Sequence, residues 1–200
     1  MQKLTRRGLF RSAAQAGAVL AAPALVRSTA LGKDGAVPPS QRIVAGCIGI
    51  QHRGMHDLRW MMREKDVQVV AICDLQKKQR LAIKNVIDKN YGNEDCKMYP
   101  EIREFLATRT DIDAVLIATG DRWHTTASIY AAKAGKDVYC EKPCSMTIAE
   151  SQALADIYRR YGRIYQAGTQ RRSVANFLFA AELCHSGKLG KLTAVHANTL

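Results

Sequence analysis

Short unbroken apolar runs alternate along this chain with longer stretches in which apolar residues recur every three or four positions. The clearest runs cover residues 43–50, 67–73 and 114–118, each rich in β-branched residues and bounded by loop or helix signals. Runs of this kind predict strands buried on both faces, the condition of a parallel sheet covered by helices. Between and after them the spacing predicts helices over 55–64, 77–91, 100–108, 125–134 and 148–161, with further strands over 137–140 and 163–167. Repetition of strand and helix at these lengths predicts an α/β fold, a doubly wound parallel sheet with helices on both faces. Beyond Gly168 the pattern changes: a helix over 174–185 and an alternating strand over 192–200 predict the start of a second, α+β domain. A strand that opens a new sheet needs partners for its backbone and its apolar face, so a truncated chain is expected.

Composition changes this picture mainly at the N-terminus. The 200 residues are 47% hydrophobic and 24% charged, ordinary for a globular protein, and the formal net charge is +12. Lys3, Arg6, Arg7, Arg11 and Arg27 precede Ala30 with no acid among them; without these five, 25 Lys and Arg remain against 18 Asp and Glu, a balance of +7. That remainder is spread over many segments, with only short clusters such as Lys77, Lys78 and Arg80, so it predicts a solvated surface and no nucleic-acid binding. Residues 5–11 carry a twin-arginine pattern followed by an Ala-rich, weakly apolar run, which predicts an export signal over residues 1–30 and an extracytoplasmic protein. The alternatives are an amphipathic helix of the mature protein and a retained anchor. Pro23 interrupts the run, and no stable membrane span is expected. Residues 31–41, with Gly35, Pro38 and Pro39, predict a linker, and residues 42–168 the first domain. The six cysteines show neither a CxxC pair nor zinc spacing, so no metal site is expected, and Cys47, Cys73 and Cys140 lie on strands as small buried hydrophobes.

Candidate chemistry lies where strands end. The first runs into Gly49-Ile50-Gln51-His52-Arg53-Gly54 and then into a helix. Glycines at such a turn let the backbone approach a pyrophosphate, held by amide hydrogens at the helix N-terminus, as in Rossmann folds. The usual GxGxxG pattern is incomplete, because Gln51 replaces its middle glycine. Asp74, at the end of the second strand, stands at the position of an acid that binds ribose hydroxyls and repels a 2′-phosphate, which favours NAD over NADP. Two alternatives stay open there: Asp74 as a helix N-cap, and Lys77, Lys78 or Arg80 as partners of that phosphate. Thr119, Trp123 and His124 follow the 114–118 run and border the same crevice, while Asp121 and His124 read equally as local caps. Glu141-Lys142-Pro143 follows the next strand, where a lysine ammonium above a nicotinamide could bind a substrate hydroxyl.

Taken together, the Gly49 to Gly54 loop, Val70-Ala71-Ile72-Cys73-Asp74, Ala118-Thr119 with Trp123-His124, and the stretch from Ala134 to Glu141-Lys142-Pro143 resemble the glucose-fructose oxidoreductase and inositol dehydrogenase family (Gfo/Idh/MocA). Gly168-Thr169-Gln170-Arg171-Arg172 and Gly187-Lys188-Leu189-Gly190-Lys191 are similar to the start of that family's second domain, which places residues 169–200 there. The resemblance implies a nicotinamide cofactor (NAD, with NADP as the alternative) and oxidation or reduction of a sugar-like or cyclitol-like hydroxyl. It implies Lys142 as the catalytic lysine, and Gly49, Ile50, Gln51, His52, Arg53, Gly54, Asp74, Thr119, Trp123, His124, Glu141 and Lys142 around the cofactor. A further acid and histidine belong to the family's second domain, as does the sheet through which its members associate as homo-oligomers; His196 is read as structural, and this chain by itself as inactive. Two other readings stand beside the dehydrogenase: an NAD-dependent glycoside hydrolase of the same fold, against which Glu141-Lys142-Pro143 argues, and a non-catalytic nucleotide-binding protein.

Overall fold

The computed structural model describes Gly32, residues 37–196 and Asn198. The expected signal segment lies outside the described residues; of the expected linker, Pro39–Gln41 form a single 3-10 turn.

Six strands form one parallel sheet. They are β1 (Ile43–Ile48), β2 (Val67–Cys73), β3 (Lys97–Tyr99), β4 (Ala114–Ile117), β5 (Asp137–Glu141) and β6 (Tyr165–Gly168), in the order β3-β2-β1-β4-β5-β6. That is the order of a Rossmann sheet, reversing direction between β1 and β4. The connecting helices are α1 (His52–Met61), α2 (Lys77–Tyr91), α3 (Ile102–Thr108), α4 (Asp121–Lys133) and α5 (Ile148–Tyr161).

Why the strands read as continuous apolar runs is visible in where successive side chains go. Cys47, Ile72 and Leu116 pack with Leu58 of α1 and Ile83 and Ile87 of α2 on one face. Their neighbours Ile48, Cys73 and Ile117 pack with Phe105 of α3, Ala127 and Ala131 of α4 and Tyr158 of α5 on the other. Alternate residues point to opposite faces of a strand, and both faces are covered, so the successive residues 47–48, 72–73 and 116–117 are all apolar. The in-register pairing of Ile48 with Cys73 and with Ile117 aligns the carboxyl ends of β1, β2 and β4. Ligands bind open α/β sheets along this edge, at the reversal of strand order.

Three features depart from the pattern reading. β3 lacks an apolar run because it is a three-residue edge strand with two exposed residues. Helices α1 and α4 begin three and four residues before their apolar periodicity does, because a first turn that faces a crevice has no core to meet. The expected strand at 192–200 is not present in its described part: residues 192–196 have no regular structure, since no described strand pairs with their backbone, and His196 therefore lies on irregular exposed chain. The preceding helix α6 (Ala175–His185) forms as expected with no buried residue; Phe177, Leu178 and Phe179 are 40%, 53% and 65% exposed.

Phe105 is fully buried, and its ring meets Tyr99 at 5.3 Å between centroids. Phe105→Ala should cost about 3–5 kcal/mol of unfolding free energy, the usual range for a buried aromatic. Urea titration followed by circular dichroism would measure it; a loss under about 1 kcal/mol would contradict the packing described.

Candidate functional site

The phosphate-loop geometry begins with two glycines whose missing side chains are required. Gly49 turns the chain out of β1 at φ +68°, and a Cβ there would collide with Thr119 Cγ2 of the β4 loop. At Gly54, inside the first turn of α1, a Cβ would lie 2.5 Å from Ala118 Cβ. The N-terminus of α1 can therefore sit directly on the ends of β1 and β4. Gln51 is the N-cap residue of α1, with extended backbone and no side-chain cap, and the Gly54 amide donates to its carbonyl at 2.7 Å. The missing middle glycine is thus replaced at a position with φ −135°, which any residue adopts. His52 carries the unusual backbone instead, at φ +31°.

A cleft of about 780 Å³ opens over this turn. Gly49, Gln51, His52, Arg53 and Gly54 line it, together with Asp74, Thr119, Trp123, His124, Glu141 and Lys142. Ile50 does not reach it: its side chain is fully buried in the core and its carbonyl accepts from Gln79 Nε2 at 3.1 Å. Every other expected site residue is brought to one cavity. A further part of the lining, not foreseen from sequence, comes from the β3–α3 segment and α4, including Pro100, Ile102, Arg103 and Tyr130. No spacing pattern marks that contribution, because β3 itself is too short to show one.

Several side chains have more specific roles than their sequence context indicates. Asp74 is 9% exposed, and its Oδ1 accepts the Gln76 amide at 2.8 Å, while Gln76 is the N-cap of α2. The carboxylate thus braces the turn before α2 rather than capping the helix directly, and its second oxygen has no hydrogen bond among the described residues. Arg80 Nη1 donates to the Asp74 and Leu75 carbonyls at 2.6 and 3.0 Å. Gly120, not Asp121 or His124, is the N-cap of α4. His124 is 1% exposed and sets its two ring nitrogens against the Pro143 carbonyl at 2.6 Å and the Thr119 carbonyl at 3.1 Å. Both facing atoms are carbonyl acceptors, so the ring lies between the β4 loop and the Lys142-Pro143 loop with neither nitrogen turned toward a ligand.

Glu141 is 4% exposed, and its Oε2 accepts the Lys142 amide at 3.3 Å. Lys142 itself is exposed to the cleft, and its ammonium has no hydrogen bond or ion pair among the described residues. By contrast, burial pushes the Cys73 thiol up to about 12 and the Cys140 thiol up to about 11, and all six cysteines are free, so the strand cysteines are inert packing groups.

These parts fit a dinucleotide. The two glycines let the α1 N-terminus sit against the strand ends, and the Asp74 carboxylate and the unpaired Lys142 ammonium line the same cleft, a donor and acceptor set that suits a pyrophosphate and a ribose. Residues 43–169 match the family described as "Oxidoreductase family, NAD-binding Rossmann fold" (GFO_IDH_MocA). The chain is 30% identical over 154 residues to an inositol 2-dehydrogenase of Salmonella typhimurium, covering 76% of this chain and 44% of that protein. It is 28% identical over 120 residues to an alpha-N-acetylgalactosaminidase of Bacteroides fragilis, covering 60% of this chain and 28% of that one. Among solved structures, the myo-inositol 2-dehydrogenase of Lactobacillus plantarum superposes with a TM-score of 0.67 at 28% identity, over 76% of this chain and 43% of that one. The chain spans less than half the length of these relatives. The match over residues 43–169, on a sheet of matching topology, places the chain in the Gfo/Idh/MocA oxidoreductase family, with an NAD-binding Rossmann fold.

Proposed function

We propose that the chain is the nucleotide-binding part of an NAD-dependent dehydrogenase that acts on a hydroxyl-bearing carbon of a sugar or cyclitol. The observation that carries this reading is the unpaired ammonium of Lys142 in the lining of the cleft that also holds the Gly49–Gly54 turn and Asp74. NAD, when bound, supplies the hydride acceptor. The Gly49–Gly54 turn and the free amides of α1 hold the pyrophosphate. Asp74 takes the ribose hydroxyls with its second oxygen, and a carboxylate there disfavours a 2′-phosphate. Lys142 Nζ would donate to the substrate oxygen and stabilise the negative charge left on it once its proton passes to a base of the second domain, a charge that the departure of hydride from the adjacent carbon then consumes. His124 and Glu141 fix the backbone on either side of that lysine. Export through the twin-arginine route and association of the whole protein into homo-oligomers belong to the same proposal. Arg6-Arg7 and the acid-free Ala-rich run support the first, and the family resemblance supports the second.

In the whole protein, with its second domain, Lys142→Met should lower turnover by about 10²- to 10⁴-fold while leaving the NAD dissociation constant within about threefold, because the ammonium is spent on substrate and not on the nucleotide. The assay is NADH formation on a panel of cyclitols and hexoses, run beside nitrophenyl glycosides. Nitrophenol release without NADH would sink the dehydrogenase reading in favour of the hydrolase.

Gly54→Val should weaken NAD binding by about tenfold or more, since the new side chain must push α1 away from Ala118. Calorimetric titration reads this directly, and unchanged affinity would show that the nucleotide does not lie on the α1 N-terminus. Residues 1–30 fused to a folded reporter should carry it across the inner membrane of a twin-arginine-competent bacterium, and Arg6→Lys with Arg7→Lys should retain it in the cytoplasm. Equal export of both fusions would overturn the localisation.

A further inference from the structure

Behind the phosphate turn, three charged side chains from two elements meet largely out of water. Asp57 of α1 is 6% exposed and Glu141, closing β5, is 4% exposed. Arg53, one helical turn before Asp57, gives Nη2 to Asp57 Oδ1 at 2.8 Å and sets Nε 3.5 Å from Glu141 Oε1. Its guanidinium lies 4.7 Å from the centre of the Trp60 ring. Two ionised carboxyls around one arginine would leave a surplus negative charge in this space.

The hydrogen bonds do not close either. Asp57 Oδ2, Glu141 Oε1 and Arg53 Nε are all buried without a hydrogen-bond partner. Both carboxyls reach the same guanidinium, Asp57 at Nη2 and Glu141 at Nε, so two acids meet around one cation. Two ionised carboxylates are acceptors only, so such a contact is repulsive until one of them carries a proton and donates it to the other. Gly168 borders the cluster from β6 and leaves space for the carboxylate: a Cβ there would come within 2.8 Å of Glu141 Oε1.

We propose that Asp57 is a positioning residue of the cofactor site: it shares a proton with Glu141, holds Arg53 against the pair, and binds that proton more tightly when the dinucleotide is bound. The proposal rests on the reading of the cleft as an NAD site. Burial, the hydrogen bond to Glu141 and the charge of Glu141 push the Asp57 carboxyl up to about 6, against the opposing pull of Arg53. The other titratable neighbours include Tyr139 of β5, whose hydroxyl burial and the two acids push up, Cys140, whose thiol burial pushes up with Glu141 adding to the shift, and Lys142, whose amide Glu141 holds. β4 and β6 bring Ala118 and Gly168, which do not titrate. Phosphates placed over the α1 N-terminus add negative charge near the pair and favour its protonated form further. By linkage, the proton then tightens nucleotide binding. Because Glu141 also accepts the Lys142 amide, the proton would connect occupancy of the phosphate turn to the backbone of the lysine.

The test is a fluorescence titration of NADH into the 200-residue chain between about pH 5.5 and 8. It is run in a His52→Asn background, which removes the exposed imidazole from the phosphate turn while keeping a residue that tolerates positive φ. Affinity should fall about 3- to 10-fold as pH rises through about 6, one linked proton limiting the slope to about tenfold per unit. With Asp57→Asn added, whose amide donates to Glu141 as the protonated acid does, affinity should stay level within about twofold. Equal slopes in the two proteins would overturn the proposal. If Asp57→Asn fails to fold, Glu141→Gln must flatten the slope from the other side, and a persisting slope there overturns it equally.

Thermal unfolding of the free chain reads the same proton without a ligand. The folded carboxyl at about 6 lies above the ordinary 3.8, so the stabilisation it brings is present at low pH and lost as pH rises through about 6. That loss must be absent in Asp57→Asn; if it persists, the shared proton is refuted. Failure of the unaltered chain to bind NADH at any pH would instead overturn the cofactor reading, and the binding half of this inference with it.

Discussion

The site depends on how closely the first turn of α1 approaches the ends of β1 and β4. A single methyl group at Gly49 or Gly54 would occupy the space of Thr119 or Ala118, so the approach exists only because two side chains are missing. Everything in the cleft follows from that contact. It aims the free amides of α1 along the crevice, fixes where Arg53 leaves the helix, and brings the β4 loop against the phosphate turn. The sheet supplies the other half of the constraint by aligning Ile48, Cys73 and Ile117 at one edge.

Around this contact, backbone carbonyls and buried charges do the positioning. His124 lies between the β4 and β5 loops with its ring nitrogens against the Thr119 and Pro143 carbonyls, and Glu141 holds the Lys142 amide. On the opposite edge of the sheet Lys136 plays a comparable part: it is 5% exposed, and its ammonium donates to the Ile112 and Thr110 carbonyls at 2.6 and 3.1 Å. Burial pulls its pKa down, against the pull of Asp111 and Asp113. Lys142 differs from Lys136 in keeping its ammonium unpaired, and that difference separates a lysine used for packing from one available to a ligand.

Much of the site was legible along the chain because it is built from strand ends, and strand ends are the easiest features to read in a parallel α/β fold. The Gly49–Gly54 turn, Asp74, Thr119 and Glu141-Lys142-Pro143 each directly follow an apolar run, and the sheet brings them to one edge. What was not legible lies off those ends. Ile50 looks like part of the turn but spends its side chain on the core. The Pro100–Arg103 wall belongs to the connection after an edge strand too short to show a period. Asp57 had a visible signal in its i,i+4 spacing from Arg53, yet nothing in that spacing shows that Glu141, more than eighty residues away, completes the cluster.

The sequence by itself determined the layer order, the parallel sheet, the strand ends that carry chemistry and the family, because these depend on local periodicity and on short motifs. Tertiary structure decided which polar residues serve each other. It set His124 between two loops, turned Asp74 toward the α2 turn, left Lys142 without a partner among the described residues and brought Asp57 and Glu141 to one arginine. Those outcomes depend on burial and on distances between segments far apart in the chain. Only folding brings two carboxyls close enough, and removes enough water, for them to compete for one proton.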